Sequence, residues 1–143
     1  MKNRFNNLKR AGILLCIFCL LCVQTVEAKP KHPLIGIWTL EYKDGKRPVV
    51  CYKLLKKNGE YVNLKSTDWN AKYFQVSRKG KYTISANRYA EVLMEYDNNQ
   101  MFPPAVFLLN YKFIGDDTLK LTYSIDGRRC EEVWHRARKA PRY

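Results

Sequence analysis

From residue 34 onward the chain is a succession of short segments in which apolar and polar side chains alternate, cut apart by turn-forming pairs. Alternation with a period of two is the mark of a half-buried β-strand, and no stretch sustains the 3.6-residue period of an amphipathic helix. Such segments occupy residues 34–42, 49–55, 60–64, 81–86, 88–96, 106–114, 118–125 and 128–136. Between them stand Asp44-Gly45, Asn58-Gly59, Ala86-Asn87, Gly115-Asp116-Asp117 and Asp126-Gly127. Asp-Gly and Asn-Gly supply the positive φ that a tight hairpin needs. Strands this short, joined this tightly, form an antiparallel meander, and closure of the meander removes its exposed edges. The expected fold is therefore all-β, an antiparallel up-and-down barrel of about eight strands. Residues 66–78, with Asp68-Trp69-Asn70 and Tyr73-Phe74, fit a short helix, a strand or a lid-like loop, and residues 97–104 read as a long connection.

The alternation also sorts the faces. Leu34, Gly36, Trp38, Leu40 and Tyr42 share one side of the first strand. On the second, Val50, Tyr52 and Leu54 read as inward, leaving Cys51 and Lys53 outward. On the fifth, Ala90, Val92, Met94 and Tyr96 oppose Glu91 and Glu95. The sixth sets Phe107, Leu109, Tyr111 and Phe113 against Asn110 and Lys112, and the seventh sets Leu119, Leu121, Tyr123 and Ile125 against Lys120, Thr122 and Ser124. Ten tyrosines, several on these inner faces, suit a cavity with apolar walls and a few hydroxyl groups. The residues expected to line it are Trp38, Leu40, Tyr52, Leu54, Tyr82, Met94, Tyr96, Phe107, Tyr111 and Tyr123. A small barrel either holds one small ligand or fills its interior with side chains. The first option gives a protein that binds an apolar or amphipathic small molecule; the second gives a structural or interaction domain acting through its exterior.

The N-terminal region belongs to a different class of sequence. Lys2, Arg4, Lys9 and Arg10 precede an uncharged apolar run at residues 11–23, followed by Val26-Glu27-Ala28. Basic, apolar and small-residue regions in that order constitute a secretory signal, and 13 residues fall short of the roughly 20 needed to span a membrane. Residues 1–28 are expected to be a cleaved signal peptide and residues 29–143 one barrel domain, placing the mature chain in the periplasm or outside the cell. With four of the 26 Lys and Arg and one of the 13 Asp and Glu in the signal, the mature chain carries 22 basic and 12 acidic groups, a net +10. That charge favours peripheral contact with anionic envelope surfaces. Cys51 and Cys130 are the two cysteines left after cleavage. Their strands should flank the first on opposite sides, roughly 10 Å apart at ~4.8 Å per strand, beyond the ~7 Å a disulfide spans. Two free thiols are expected.

Gly36-Ile37-Trp38 near the start and Glu132-Val133-Trp134-His135-Arg136 near the end add a further pattern. First and last strands are neighbours in a closed meander, so an arginine of the last can lie over the indole of the first. Gly36, Trp38, Trp134 and Arg136 are the expected barrel-closing set. The order Leu34-x-Gly36-x-Trp38, Asp44-Gly45, Gly80-x-Tyr82, Asp117-Thr118-Leu119-x-Leu121 and Glu132-x-Trp134-x-Arg136 resembles the lipocalin and calycin barrels. It is most similar to the small exported lipocalin-like domains of unknown function found in bacteria. The resemblance covers nearly the whole mature chain and implies a barrel that can hold a small ligand. The long loops and multiple disulfides of many secreted animal lipocalins are not in this sequence, so their transport role is not carried over.

The sequence gives little to support catalysis. His32 and His135 have no evident partner, and neither a nucleophile elbow nor a phosphate-cradling glycine loop occurs. Glu131 and Glu132 are adjacent on one strand and point to opposite faces. No enzyme, cofactor or metal is expected. Nucleic acid is not an expected partner either, because the aromatics alternate inward and the lysines outward, whereas a stacking platform needs both on one face.

Overall fold

The computed structural model describes residues 32–143; the expected signal peptide at residues 1–28 lies outside the described residues. Eight strands follow in chain order: β1 (Gly36–Asp44), β2 (Arg47–Leu55), β3 (Glu60–Ser66), β4 (Phe74–Ser85), β5 (Arg88–Tyr96), β6 (Asn99–Phe113), β7 (Thr118–Ile125) and β8 (Arg128–Ala137). Each pairs antiparallel with the next, and β8 returns to β1, closing the barrel. The all-β up-and-down barrel read from the alternation is the observed architecture.

The hairpins form where the sequence supplies left-handed residues. Gly45, Gly59 and the pair Asp126-Gly127 all have positive φ, as do Asp97 and Asn98. The last pair corrects the expected long connection at 97–104. Tyr96 pairs directly with Asn99, so the chain reverses within two residues, since Asp and Asn tolerate the left-handed region. The irregularity lies inside β6 instead. Leu93 pairs with Ala105 and Glu95 with Gln100, so residues 101–104 stand opposite Met94 alone. Pro103 and Pro104 have no N–H to give a ladder, which suits them to that bulge. The ambiguous stretch 66–78 resolves into a loop at residues 67–73 followed by β4. The Asp68 carboxylate organises the loop, accepting hydrogen bonds from the backbone N–H of Asn70, Lys72 and Tyr73. The Tyr73 bond and its companions hold that carboxyl below its usual pKa.

Gly80 marks a second bulge. A Cβ placed there would lie 1.9 Å from the Val92 carbonyl oxygen, so only glycine lets β4 and β5 approach at this point. The two strands shift register at Lys79–Gly80, leaving Met94 as the extra residue of β5.

The ladders hold the barrel unequally. β1 and β2 share nine residue pairs, but β1 and β8 share three: Ile37–Ala137, Trp38–Arg136 and Thr39–His135. Beyond Thr39 the two strands part.

One end of the interior is filled. Leu34, Trp38, Leu55, Tyr61, Tyr82, Tyr89, Leu93, Leu109, Leu119, Leu121 and Trp134 form a continuous buried cluster. Each fully buried large apolar side chain contributes roughly 1.5–3 kcal/mol. Trp38 plugs this end. Its Nε1 donates to the Leu34 carbonyl at 2.9 Å. The Arg136 guanidinium lies 3.8 Å from its ring centroid and donates to the carbonyls of Ile35 and Pro33. Gly36 leaves room for that guanidinium, since a Cβ there would sit 2.7 Å from Arg136 Nη1. His32, which has no evident partner in the sequence, packs edge-on against Tyr111 and accepts the Leu34 N–H.

Two strands present the face opposite to the one expected. On β2 the interior receives Cys51, Lys53 and Leu55, not Val50, Tyr52 and Leu54. On β5 it receives Tyr89, Glu91 and Leu93, not Ala90, Val92 and Met94. Tyr52 and Leu54 lie on the other side of β2, where the Tyr52 ring meets Phe74 edge-on at 5.4 Å. Met94 is the exposed bulge residue. The physical reason is that both faces of these strands carry apolar side chains. Alternation alone cannot choose between them: on β5 tertiary packing takes the larger set, Tyr89 and Leu93 over Ala90 and Val92, whereas on β2 it takes the smaller apolar set, the one that contains Lys53.

Candidate functional site

The inverted faces put a charged pair into the barrel. Lys53 of β2 and Glu91 of β5 form an ion pair across the interior, with both side chains almost fully buried. Removing two charges from water costs several kcal/mol per ion, so such a pair persists only with further partners. These are present. Tyr89 donates its hydroxyl proton to the Glu91 carboxylate. The Lys53 ammonium lies 5.5 Å from the Tyr61 ring centroid, 5.7 Å from that of Tyr89 and 5.4 Å from that of Trp134. Three π-faces thus surround a cation, the arrangement that offsets its lost hydration. Burial, reinforced by the Glu91 charge, pushes the Tyr89 and Tyr61 hydroxyls above the usual tyrosine range. The Tyr61 hydroxyl has no hydrogen-bond partner among the described residues.

Above this layer, toward the end carrying the 67–73 loop and the Asp97-Asn98 turn, the interior opens into a cavity of about 890 Å³. Its walls come from both sides of the parted seam, Leu40 and Tyr42 of β1 and residues 131–134 of β8. The remaining wall is made by Arg47, Cys51, residues 63–67, Gln75, Ser77, Arg78, Tyr96 and Asp97. Glu132 is fixed within it, accepting the Tyr123 hydroxyl at 2.7 Å and Trp134 Nε1 at 2.8 Å. Burial and that hydrogen bond push the Tyr123 hydroxyl upward. Burial likewise raises the Cys51 thiol, which favours the less nucleophilic protonated form. Cys51 and Cys130 are free thiols, carried on strands on either side of β1.

Of the ten residues expected to line a ligand site, Leu40 and Tyr96 reach the cavity. Tyr96 does so because the Met94 bulge restores its side chain to the inner face, opposite Arg78 in the ladder. Trp38, Tyr82, Phe107, Tyr111 and Tyr123 belong to the interior packing. Tyr52, Leu54 and Met94 do not face the interior, for the reason given above. Among the expected closing residues, Gly36, Trp38 and Arg136 meet at the filled end. Trp134 stands one layer inward, over Lys53 and at the cavity floor. The reading of the sequence missed Lys53, Glu91, Arg78 and Arg47. For Glu91 the available signal was size, since Tyr89 and Leu93 share its face; on β2 size pointed the other way, Val50, Tyr52 and Leu54 being the bulkier apolar set.

The exterior of the open end carries aromatic side chains. Trp69 and Tyr73 on the 67–73 loop are 63% and 70% exposed, and Phe102 in the β6 bulge is 97% exposed.

Fold and site together define a small antiparallel barrel with one filled end, a buried charged layer and one open, mixed-polarity cavity. A family model described as a domain of unknown function, DUF4488, matches residues 33–142, and the chain belongs to that family. A search of curated proteins finds no match.

Proposed function

We propose that this is an exported, lipocalin-like, non-enzymatic binding protein that holds one small amphipathic molecule in the open half of its barrel. The observation that carries this reading is the one-sided filling of the interior. Side chains pack the end around Trp38 and Tyr89 solid, while about 890 Å³ stays open at the other. Small-molecule sites commonly fall in the range of about 300–1,000 Å³. The cavity also mixes apolar walls, Leu40, Leu64 and Trp134, with fixed polar groups, which suits an amphipathic occupant better than a purely apolar one. Export rests on the basic, apolar and small-residue order of residues 1–28.

Native mass spectrometry of the protein purified from its own host tests both parts. The expected result is a chain beginning at Lys29 with a further non-covalent mass that leaves on activation. A chain retaining Met1 would overturn the export reading, and an invariably empty mature chain would overturn the binding reading. The second outcome would favour an interaction domain that meets an anionic envelope surface through its exterior. The exposed Trp69 and Tyr73, beside Lys72 on the same loop, support that second reading.

A further inference from the structure

Three basic and three acidic residues line the cavity, and no ion pair joins one set to the other among the described residues. Arg47, Lys65 and Arg78 all line it, and none is in an ion pair among the described residues. The acidic groups of the wall are engaged differently. Glu131 is paired with Lys120 at 2.6 Å, and Glu132 is occupied by Tyr123 and Trp134. Asp97 completes the set at the rim, on the hairpin turn.

Arg78 is the one of these three cations flanked by aromatic rings. Its guanidinium carbon lies 5.8 Å from the Tyr96 ring centroid and 5.9 Å from that of Phe107. Two aromatic rings thus hold the planar group without using up its N–H donors. Burial raises the Cys51 thiol and the Tyr61 and Tyr123 hydroxyls, and in each case the Arg78 charge pulls the other way. Two further polar atoms of cavity-lining residues, Arg47 Nε and Asn63 Oδ1, are buried with no hydrogen-bond partner among the described residues. Asn63 pairs directly with Arg78 in the β3–β4 ladder. Arg47 is meanwhile anchored through Nη2 to the Ser66 carbonyl at 3.0 Å. A guanidinium between two ring faces, with no hydrogen-bond partner among the described residues, is half of a charge-assisted hydrogen-bonding site.

We propose that Arg78, assisted by Arg47 and Lys65, recognises the carboxylate head of an amphipathic ligand whose apolar part lies against Leu40, Leu64 and Trp134. This rests on the binding reading above and adds to it the chemical class of the ligand's head.

The test is a calorimetric titration of the mature protein at neutral pH with decanoate, 1-decanol and decylammonium, each below its aggregation concentration. The three share one chain and differ in the charge of the head. Decanoate is expected to bind about 10- to 100-fold more tightly than 1-decanol, the range of one charge-assisted hydrogen-bonded contact. Decylammonium is expected to bind more weakly than 1-decanol. In Arg78→Met, which keeps an unbranched apolar stem and removes the guanidinium, decanoate and 1-decanol should bind within a few-fold of each other. Equal binding of all three by the wild-type protein would overturn the carboxylate site while leaving the cavity reading in place. A decanoate preference that survives in a folded Arg78→Met would overturn the assignment to Arg78. The wild-type series decides the head-group question even where that variant does not fold. Failure of all three to bind would overturn the carboxylate-head proposal for chains of this kind, whereas the binding reading itself fails on an empty chain in native mass spectrometry.

Discussion

Lys53 and Glu91 show how much one buried charge depends on its counterpart. Removing one member leaves the other in a low-dielectric interior, at a cost of about 3–5 kcal/mol. Glu91→Ala is expected to lower stability by that amount in urea unfolding. The double variant Lys53→Met with Glu91→Leu should lose much less than the sum of the single variants, because no charge is then stranded. Additive losses would mean the two side chains act independently. Neither residue was legible as interior from the sequence. Charge is the strongest outward signal a strand position can carry; on β5 it is overridden by the volumes of Tyr89 and Leu93 on the same face, while on β2 side-chain size does not mark Lys53 as inward. Arg78 was hidden differently. Its environment depends on Tyr96, whose own facing is set by a bulge, and a bulge leaves little trace in period-two alternation.

At the scale of strands and turns the sequence was far more readable. Asp-Gly and Asn-Gly fixed three hairpins, and Asp97-Asn98 formed a fourth by the same left-handed chemistry without a glycine. The pairing of the first and last strands was legible too, since a closed meander leaves them no other neighbour. That seam can be measured. Trp38→Ala should cost roughly 3–5 kcal/mol, the range for deleting a large buried aromatic. Arg136→Ala should cost about 1 kcal/mol, from the lost ring contact and packing. The two effects should be non-additive, because the groups touch. A double-mutant cycle with zero coupling would contradict the β1–β8 pairing itself. The loop at residues 67–73 was the least legible element. Its form rests on one side chain, Asp68, gathering three backbone donors, and that chemistry suits a loop or a helix start equally well.

For the molecule as a whole, two buried tyrosines and the half-buried Tyr123 set an alkaline limit. Tyr89, Tyr61 and Tyr123 have folded pKa values raised above the ordinary 10.0, foremost by burial. The stability they contribute is fully present below that ordinary value and is lost as pH rises from it toward the folded values. Urea midpoints should therefore be flat with respect to these groups up to pH about 10 and fall steeply above it. Tyrosinate absorbance from these three should emerge only with unfolding; complete ionisation in a still-folded chain would contradict their burial. The cavity, by contrast, follows from how the cylinder is sewn. Its two edge strands are stitched for three residue pairs and then run free, Leu40 and Tyr42 on one lip and residues 131–134 on the other. Widening a fully laddered cylinder means tearing backbone hydrogen bonds one after another. Here nothing in the β1–β8 ladder joins the lips past the third stitch, so parting them further would undo none of that seam, whereas the sewn half is fastened on every side.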